Sequence, residues 1–349
     1  MTEDHMKNDD KSTVAGILTA RVTAVHCERY ELVCEERVMF GRLKTGVYYG
    51  EKAELFPTVG DWVRIQPVEG GDSLITGTLP RRSFFARRDP DPMGGKQQAV
   101  AANFETVFIM TSLNKDFNTA RLERYLVQAW QSGAVPVVIL TKADLCDDPA
   151  VQVAEVESVA AGVDVIPMSV VSGEGLDRLD VYLTPGKTIV FLGSSGVGKS
   201  SLLNALMGRE VMAAGDIRED DSRGRHTTTH RQMFTLPSGA MVIDTPGMRT
   251  MGMWDAGDGL GAAFRDVEAV LSQGCRFSDC RHETEPGCAV RSAIDSGTLP
   301  AARWRNYQAL RQEAKYAEDR AGFLRAKQQR NKSIAQFSRQ HQKNGGIRT

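Results

Sequence analysis

No long apolar run occurs anywhere in the 349 residues. Runs such as Val137-Val138-Ile139-Leu140 fall far below the ~20 residues that a membrane-spanning helix needs. The opening stretch, residues 1–12, is polar and mixed in charge, with no apolar core of a secretory signal. The expectation is a disordered tail over residues 1–13 in a cytoplasmic protein that uses no membrane. Cysteine is scarce, at six residues, and without a secretion signal a disulfide framework is not expected. Net charge is almost absent, at −1, so the chain as a whole is not a polycation. What charge there is lies unevenly: residues 301–349 hold twelve Lys/Arg against three Asp/Glu, about +9 in one segment. Such an end is attracted to a polyanion, although a solvated basic helix has the same composition.

The rest is ordinary for a globular protein, with 41% hydrophobic and 25% charged residues. Between residues 14 and 83, short β-rich runs follow one another at Ile17–Val25, Tyr30–Cys34, Arg37–Leu43, Asp61–Ile65 and Leu74–Leu79. Gly46, Gly50, Pro57, Gly60, Gly70 and Gly71 punctuate them. Five strands in this space predict a small closed β-barrel, with an OB-fold the natural candidate and an SH3-like barrel the rival. After Arg88 the pattern alternates. Strands are expected at Glu105–Thr111, Val137–Leu140, Val163–Ile166, Lys187–Leu192 and Met241–Ile243. Helices are expected at 119–132, where Leu122, Tyr125, Leu126, Ala129 and Trp130 share a face, near 150–161, and at Ser200–Met207. This alternation predicts a mostly parallel sheet covered on both faces, over residues 84–262. A C-terminal α-helical domain over 263–349 completes the organisation.

Gly193-Ser194-Ser195-Gly196-Val197-Gly198-Lys199-Ser200 fits G-x-x-x-x-G-K-[ST] and sits between an apolar strand and a helix, the context such a loop requires. Its glycines let backbone N–H groups turn inward around phosphate oxygens, and the helix N-terminus adds a favourable dipole. Lys199 is placed for the β- and γ-phosphates, Ser200 for Mg²⁺, and Ser201 completes the nucleotide contacts. Thr141-Lys142-Ala143-Asp144 resembles the [NT]-K-x-D element. A carboxylate at Asp144 accepts two hydrogen bonds from the guanine N1–H and exocyclic amine, a donor pair that adenine lacks, so GTP rather than ATP is expected. The Lys142 stem can cover the base. Ser169 lies where a backbone contact to the guanine O6 is expected.

Asp244-Thr245-Pro246-Gly247 resembles D-x-x-G, in which Asp244 holds Mg²⁺ through water and the Gly247 N–H senses the γ-phosphate. Ahead of it, the polar run Ser222–His230 contains Thr228 and Thr229, either of which can complete the Mg²⁺ shell. Met248 stands where Ras-like enzymes use Gln to orient the attacking water. His226 is the candidate replacement because it lies in the switch loop and titrates in a suitable range. The order of these motifs is permuted: Thr141–Asp144 and Ser169 precede the phosphate loop and the D-x-x-G element. About thirty residues beyond that element come Cys275, Cys280, His282 and Cys288, a closed Cys₃His set suited to one structural Zn²⁺. Permutation thus connects the γ-phosphate sensor directly to the metal cluster.

Taken together, the chain resembles the RsgA (YjeQ) family of circularly permuted GTPases that depend on the small ribosomal subunit. The resemblance rests on these motifs in this order, together with Val59-Gly60-Asp61-Trp62-Val63, Leu79-Pro80-Arg81-Arg82-Ser83 and Ala102-Asn103-Phe104. It implies an OB-fold, a permuted P-loop GTPase domain and a zinc-binding C-terminal domain. It further implies a monomer that hydrolyses GTP to GDP in late maturation of the small (30S) subunit, gripping its rRNA and stimulated by it, with His226 catalytic. Arg81, Arg82, Arg87 and Arg88 are candidate phosphate contacts. The alternatives are a nucleotide-gated RNA-binding module in which hydrolysis is incidental, and a GTPase acting on another RNA.

Overall fold

The computed structural model describes residues 17–26, 29–48, 55–88, 97–114, 117–212, 231–244 and 257–318. The chain divides into two compact units. The first comprises residues 1–104, 185–190 and 219–246, and the second comprises residues 105–184, 191–218 and 247–349.

In the first unit, strands β1 (Leu18–His26), β2 (Arg29–Cys34), β3 (Arg37–Leu43), β4 (Trp62–Gln66) and β5 (Ser73–Thr78) pair in the order β1-β2-β3-β5-β4, and β4 returns to β1. The barrel is therefore closed, and its β3–β5 pair is parallel where the other pairs are antiparallel. That order is the OB-fold's, which removes the SH3-like alternative. Alternate residues face inward, and Ala20, Val22, Leu32, Val63, Ile65 and Ile75 form the core with Tyr30 and Tyr48, the latter from the short helix α1 (Thr45–Tyr48). Burial pushes the Tyr30 hydroxyl up to about 12.

Three of the sequence signatures meet below the barrel. The Asp61 carboxylate is fully buried and accepts from Arg81 Nε (2.8 Å) and Nη2 (2.7 Å) and from the Thr58 N–H (2.8 Å). Burial raises the Asp61 carboxyl, and Arg81 and the Thr58 N–H oppose that rise. Asn103 accepts from the Arg82 N–H (3.0 Å) and donates to the Gly60 carbonyl (3.1 Å), while the Ser83 hydroxyl bonds both backbone groups of Phe104. Gly60 has φ +92°, and a Cβ there would lie 2.0 Å from the Ala102 carbonyl oxygen. These signature residues serve a buried joint, and Arg81 is committed to that joint through Asp61 rather than offered to RNA phosphates.

The sequence pattern missed the antiparallel hairpin of β6 (Phe84–Arg88) and β7 (Gln97–Ala102), whose Ala-rich second strand carries little strand propensity. The unit is completed by the start of β11 (Thr188–Gly193), by β12 (Arg231–Thr235) and by β13 (Met241–Asp244). β13 runs parallel to β11 and antiparallel to β12, and β12 pairs antiparallel with barrel strand β1 at Ala24↔Gln232 and Val25↔Arg231.

In the second unit, β8 (Thr106–Ser112), β9 (Val135–Thr141) and β10 (Asp164–Pro167) are parallel, in the order β10-β9-β8. β8 and β9 are almost wholly buried, as strands covered on both faces must be. Phe108 of β8 stacks on Phe191 at 6.0 Å. Helix α2 (Thr119–Gln131) begins where Asn118 accepts from the Arg121 N–H, and Gly133, at φ +83°, follows its end. Helix α3 (Pro149–Val159) opens with Asp148 as cap and Pro149 in its first turn. Helix α4 (Lys199–Met207) follows the phosphate loop, and α5 (Gly257–Ala263), α6 (Arg265–Ser272), α7 (Ala289–Asp295) and α8 (Ala301–Glu318) form the C-terminal region. No helix among the described residues is long and apolar enough to cross a membrane.

The C-terminal helices dock on α2. Gly259 lets α5 approach so closely that a Cβ would lie 2.5 Å from the Val127 carbonyl. From α8, the buried Arg303 donates to Glu123 of α2 (2.6 Å), to both oxygens of Asp266 on α6 and to the Ala263 carbonyl (2.9 Å). Asn306 adds a hydrogen bond to Glu123.

Candidate guanine-nucleotide and metal sites

The phosphate loop leaves the end of β11 and enters α4, as its glycine spacing predicts. Gly196 (φ +75°) and Gly198 (φ +104°) take left-handed conformations that turn successive N–H groups to one side. A Cβ at Gly193 would lie 2.5 Å from the Met110 carbonyl, so glycine there lets the loop start pressed against β8. Lys199 Nζ donates to the carbonyls of Gly193 (2.9 Å) and Ser194 (2.6 Å), which folds the ammonium back over its own loop. Ser200 and Ser201 follow in the first turn of α4, both half-buried, while Ser195 and Gly196 are exposed and Val197 is buried.

The guanine-selecting motif stands beside this loop. Thr141 ends β9, and its hydroxyl donates to the Val197 carbonyl at 2.6 Å, joining the base-selecting and phosphate-binding segments directly. Lys142 adopts φ +60°, and a 3₁₀ turn over Ala143–Leu145 leaves Asp144 exposed. The Ala143 N–H donates to the Met168 carbonyl (3.1 Å), which brings the Ser169 segment alongside. Ser169 itself is fully buried, and its hydroxyl accepts from the N–H groups of Val171 (3.1 Å) and Ser172 (3.2 Å). That side chain shapes the turn after β10. Gly175 at φ +73° completes the turn, since a Cβ would lie 2.4 Å from the Pro167 carbonyl.

Asp244 is the last residue of β13, at the carboxyl end where ligands of parallel α/β sheets bind. Its strand is in register with β11 through Thr188↔Met241, Ile189↔Val242 and Val190↔Ile243. Gly247, Thr228, Thr229 and His226 lie outside the described residues, as do the side chains of Arg87 and Arg88.

Cys275, Cys280, His282 and Cys288 bring four ligand atoms within 4.8 Å of one another. His282 Nδ1 lies 3.5 Å from Cys275 Sγ, 3.7 Å from Cys280 Sγ and 3.4 Å from Cys288 Sγ, and the Cys275 and Cys288 sulfurs are 4.0 Å apart. A tetrahedron with Zn–S of about 2.3 Å and Zn–N of about 2.0 Å has edges of roughly 3.5–3.8 Å, so the donor set fits that ion. The N–H groups of Ala289 (3.4 Å) and Arg291 (3.5 Å) donate to Cys275 and Cys288, the outer bonds that steady thiolate ligands. The Ala289 N–H lowers the Cys275 thiol, whereas desolvation and the neighbouring sulfurs push Cys280 up to about 11. Three thiols packed this closely favour full ionisation only around a cation. Trp304 of α8 packs edge-on against the His282 ring at 5.4 Å, so the cluster and the C-terminal helix support each other.

Comparison with known proteins agrees with this geometry. The family model described as RsgA GTPase matches residues 78–254, half of the chain. A second model, ABC transporter, matches residues 176–343, a span that includes the phosphate loop common to many nucleotide-binding proteins. The small ribosomal subunit biogenesis GTPase RsgA 2 of Lactiplantibacillus plantarum is 45% identical over 86% of this chain and 84% of its own. RsgA 1 of Listeria monocytogenes is 44% identical over 89% and 88%. Among solved structures, YjeQ from Thermotoga maritima aligns with a TM-score of 0.62 and 26% identity over 84% of this chain and 97% of its own. YloQ, described as a circularly permuted GTPase, shares the fold with a TM-score of 0.59 and 24% identity, over 88% of this chain and 98% of its own. A closed barrel, a P-loop GTPase fold with its motifs in permuted order and a C-terminal Cys₃His cluster all stand in one chain, and that chain belongs to the RsgA GTPase family.

Proposed function

We propose that this GTPase acts in late maturation of the small ribosomal subunit, as a cytoplasmic monomer whose hydrolysis of GTP is stimulated by that subunit. The observation that carries the guanine-nucleotide reading is the Thr141–Val197 hydrogen bond, which holds the base-selecting turn against the phosphate loop. The relatives named for small-subunit biogenesis support the choice of partner. The barrel over 14–83 and the basic helical region over 263–349 grip rRNA, and residues 84–262 carry the nucleotide chemistry.

In this reading Asp144 accepts from the guanine edge, Lys142 covers the base, and the Ser169 segment lies toward O6. The N–H groups of Gly193–Ser201 surround the phosphates, and Lys199 exchanges the carbonyls of Gly193 and Ser194 for β- and γ-phosphate oxygens. Ser200 and a Thr at 228 or 229 supply oxygen donors for Mg²⁺ and Asp244 holds it through water; the ion when bound offsets negative charge on the phosphates. Gly247 reads the γ-phosphate, and His226 positions the attacking water. One Zn²⁺ on Cys275, Cys280, His282 and Cys288 is structural, because four protein ligands leave no open position.

The decisive experiment is the GTP hydrolysis rate with and without purified small subunits. A rise of about tenfold or more, equivalent to about 1.4 kcal/mol of barrier, is expected. Equal rates would sink the proposal. Met248, in place of a water-orienting Gln, keeps a second reading in view: an RNA-binding module gated by nucleotide, in which hydrolysis is incidental. Under that reading His226→Ala supports subunit maturation in cells as well as the wild type does, and Lys199→Ala does not.

A further inference from the structure

Barrel strand β1 does more than close the barrel. Its Arg21 side chain reaches out to the starting ends of two strands that carry nucleotide-site residues. Arg21 Nη2 donates to the Thr188 hydroxyl (2.8 Å) and to the Asn103 carbonyl (3.1 Å), and Nη1 lies 3.2 Å from Met241 Sδ. Thr188 opens β11, which runs into the phosphate loop, and Met241 opens β13, which ends at Asp244. The two residues are direct partners in the parallel ladder. One guanidinium therefore spans the foot of the strand pair whose far ends bear Gly193 and Asp244. Thr188 is almost fully buried, so its hydroxyl needs this donor's company more than a solvated one would.

The same β1 strand is tied a second time. Beyond Arg21, Ala24 and Val25 pair with Gln232 and Arg231 of β12, and Arg231 Nη1 donates to the Ala99 carbonyl at 2.5 Å. β12 then turns back into β13. On the barrel side, the Arg21 guanidinium lies 5.4 Å from the ring centroid of Trp62, its ladder partner on β4, and Trp62 is 41% exposed. Arg21 thus contacts both an exposed barrel side chain and the first residues of β11 and β13.

We propose that Arg21 is a positioning residue that transmits barrel engagement to the GTPase site, by setting the foot of β11 against the foot of β13. It touches neither nucleotide nor the reacting atoms. Its effect is on the stimulated rate and not on the intrinsic one. The inference rests on the proposed stimulation by the small subunit.

The test compares wild type, Arg21→Met and Thr188→Val, measuring intrinsic GTPase rate, the rate at saturating small subunits, the subunit concentration giving half-maximal stimulation, and the melting temperature. Met keeps an unbranched stem as far as the position of Nε but removes the guanidinium fork, and Val removes one hydroxyl at nearly constant volume. In both variants the stimulated rate at saturation falls about tenfold, the scale of one hydrogen bond to a charged group. The intrinsic rate and the half-maximal concentration stay within about twofold of wild type, a split that loss of subunit binding would not produce. A saturating rate equal to wild type in both variants overturns the inference, as does an equal fall of intrinsic and stimulated rates with a lowered melting temperature. If Arg21→Met does not fold, Thr188→Val decides alone. A wild type that subunits do not stimulate removes the functional reading and this inference with it, whereas stimulated wild type with unaffected variants removes the inference only.

Discussion

Replacing Arg303 with Met puts the buried charge cluster between α2, α6 and α8 to a quantitative test. Glu123 is 4% exposed and Arg303 7% exposed. Burial already lifts the Glu123 carboxyl above its ordinary range in the wild type, and Asn306 and Arg303 pull it back. Arg303→Met removes the charged partner and leaves a buried carboxylate, which takes up a proton in the folded state rather than remain charged. The sign follows from the raised folded pKa: stability is fully present below the unfolded value near 4.3 and is lost as pH rises toward the folded value. The loss is about 1.4 kcal/mol per pH unit, hence roughly 1 kcal/mol at pH 5 and up to roughly 3.7 kcal/mol at pH 7. Equilibrium urea denaturation at the two pH values measures it. The variant should lose up to about 2.7 kcal/mol more at pH 7 than at pH 5, and the wild type should lose less. Adding Glu123→Leu should flatten the pH dependence, since an apolar pair replaces the ion pair at similar volume. Parallel pH dependence in wild type and Arg303→Met would refute the reasoning.

Three further outcomes follow from the sites. Asp144→Ala should weaken GTP binding roughly 100-fold, the combined loss of two hydrogen bonds to a charged acceptor, with little change in ATP binding; nucleotide titration of each decides it. Cys280→Ser should lower bound zinc from one ion per chain toward none, and loss of the His282–Trp304 packing should shift tryptophan emission to the red; unchanged metal content and emission would argue against the cluster as a zinc site. His226→Ala should reduce the saturating GTPase rate by about 10²-fold or more while GTP affinity holds, and a rate near wild type would assign the water-positioning role elsewhere.

Local sequence was most informative where the chemistry depends on short spacing. The phosphate loop, the Thr141–Asp144 turn and the Cys₃His set each lie within one segment, so a few residue types at fixed intervals define them. Strand ends were legible to within one or two residues, because buried parallel strands such as Val135–Thr141 are continuous apolar runs. The barrel strands were equally legible from their inside–outside alternation.

Other features had no local signal. Hairpin β6–β7 was missed because an Ala-rich strand does not announce itself, and β12 because a five-residue strand with a single buried residue gains its partners from β1 and β13. Arg81 read as a surface phosphate contact, yet Asp61, twenty residues away, takes it into a buried joint. That the Ser169 hydroxyl, as distinct from its backbone, caps the turn after β10 had no local signal either. That the D-x-x-G element precedes the metal cluster in the chain was visible in the order of motifs. That the C-terminal helices fasten to α2 through Glu123 and Arg303 was not.

By itself, then, the sequence determined the nucleotide class, a Cys₃His set able to hold a metal ion and the permuted order of the motifs, since each resides in a short run of residues defined by type and spacing. The tertiary structure alone decided that Arg21 reaches Thr188 and Met241, and that Arg303 reaches Glu123. Such contacts join residues about 170 to 220 positions apart, and their energy depends on burial and geometry that only the closed fold creates.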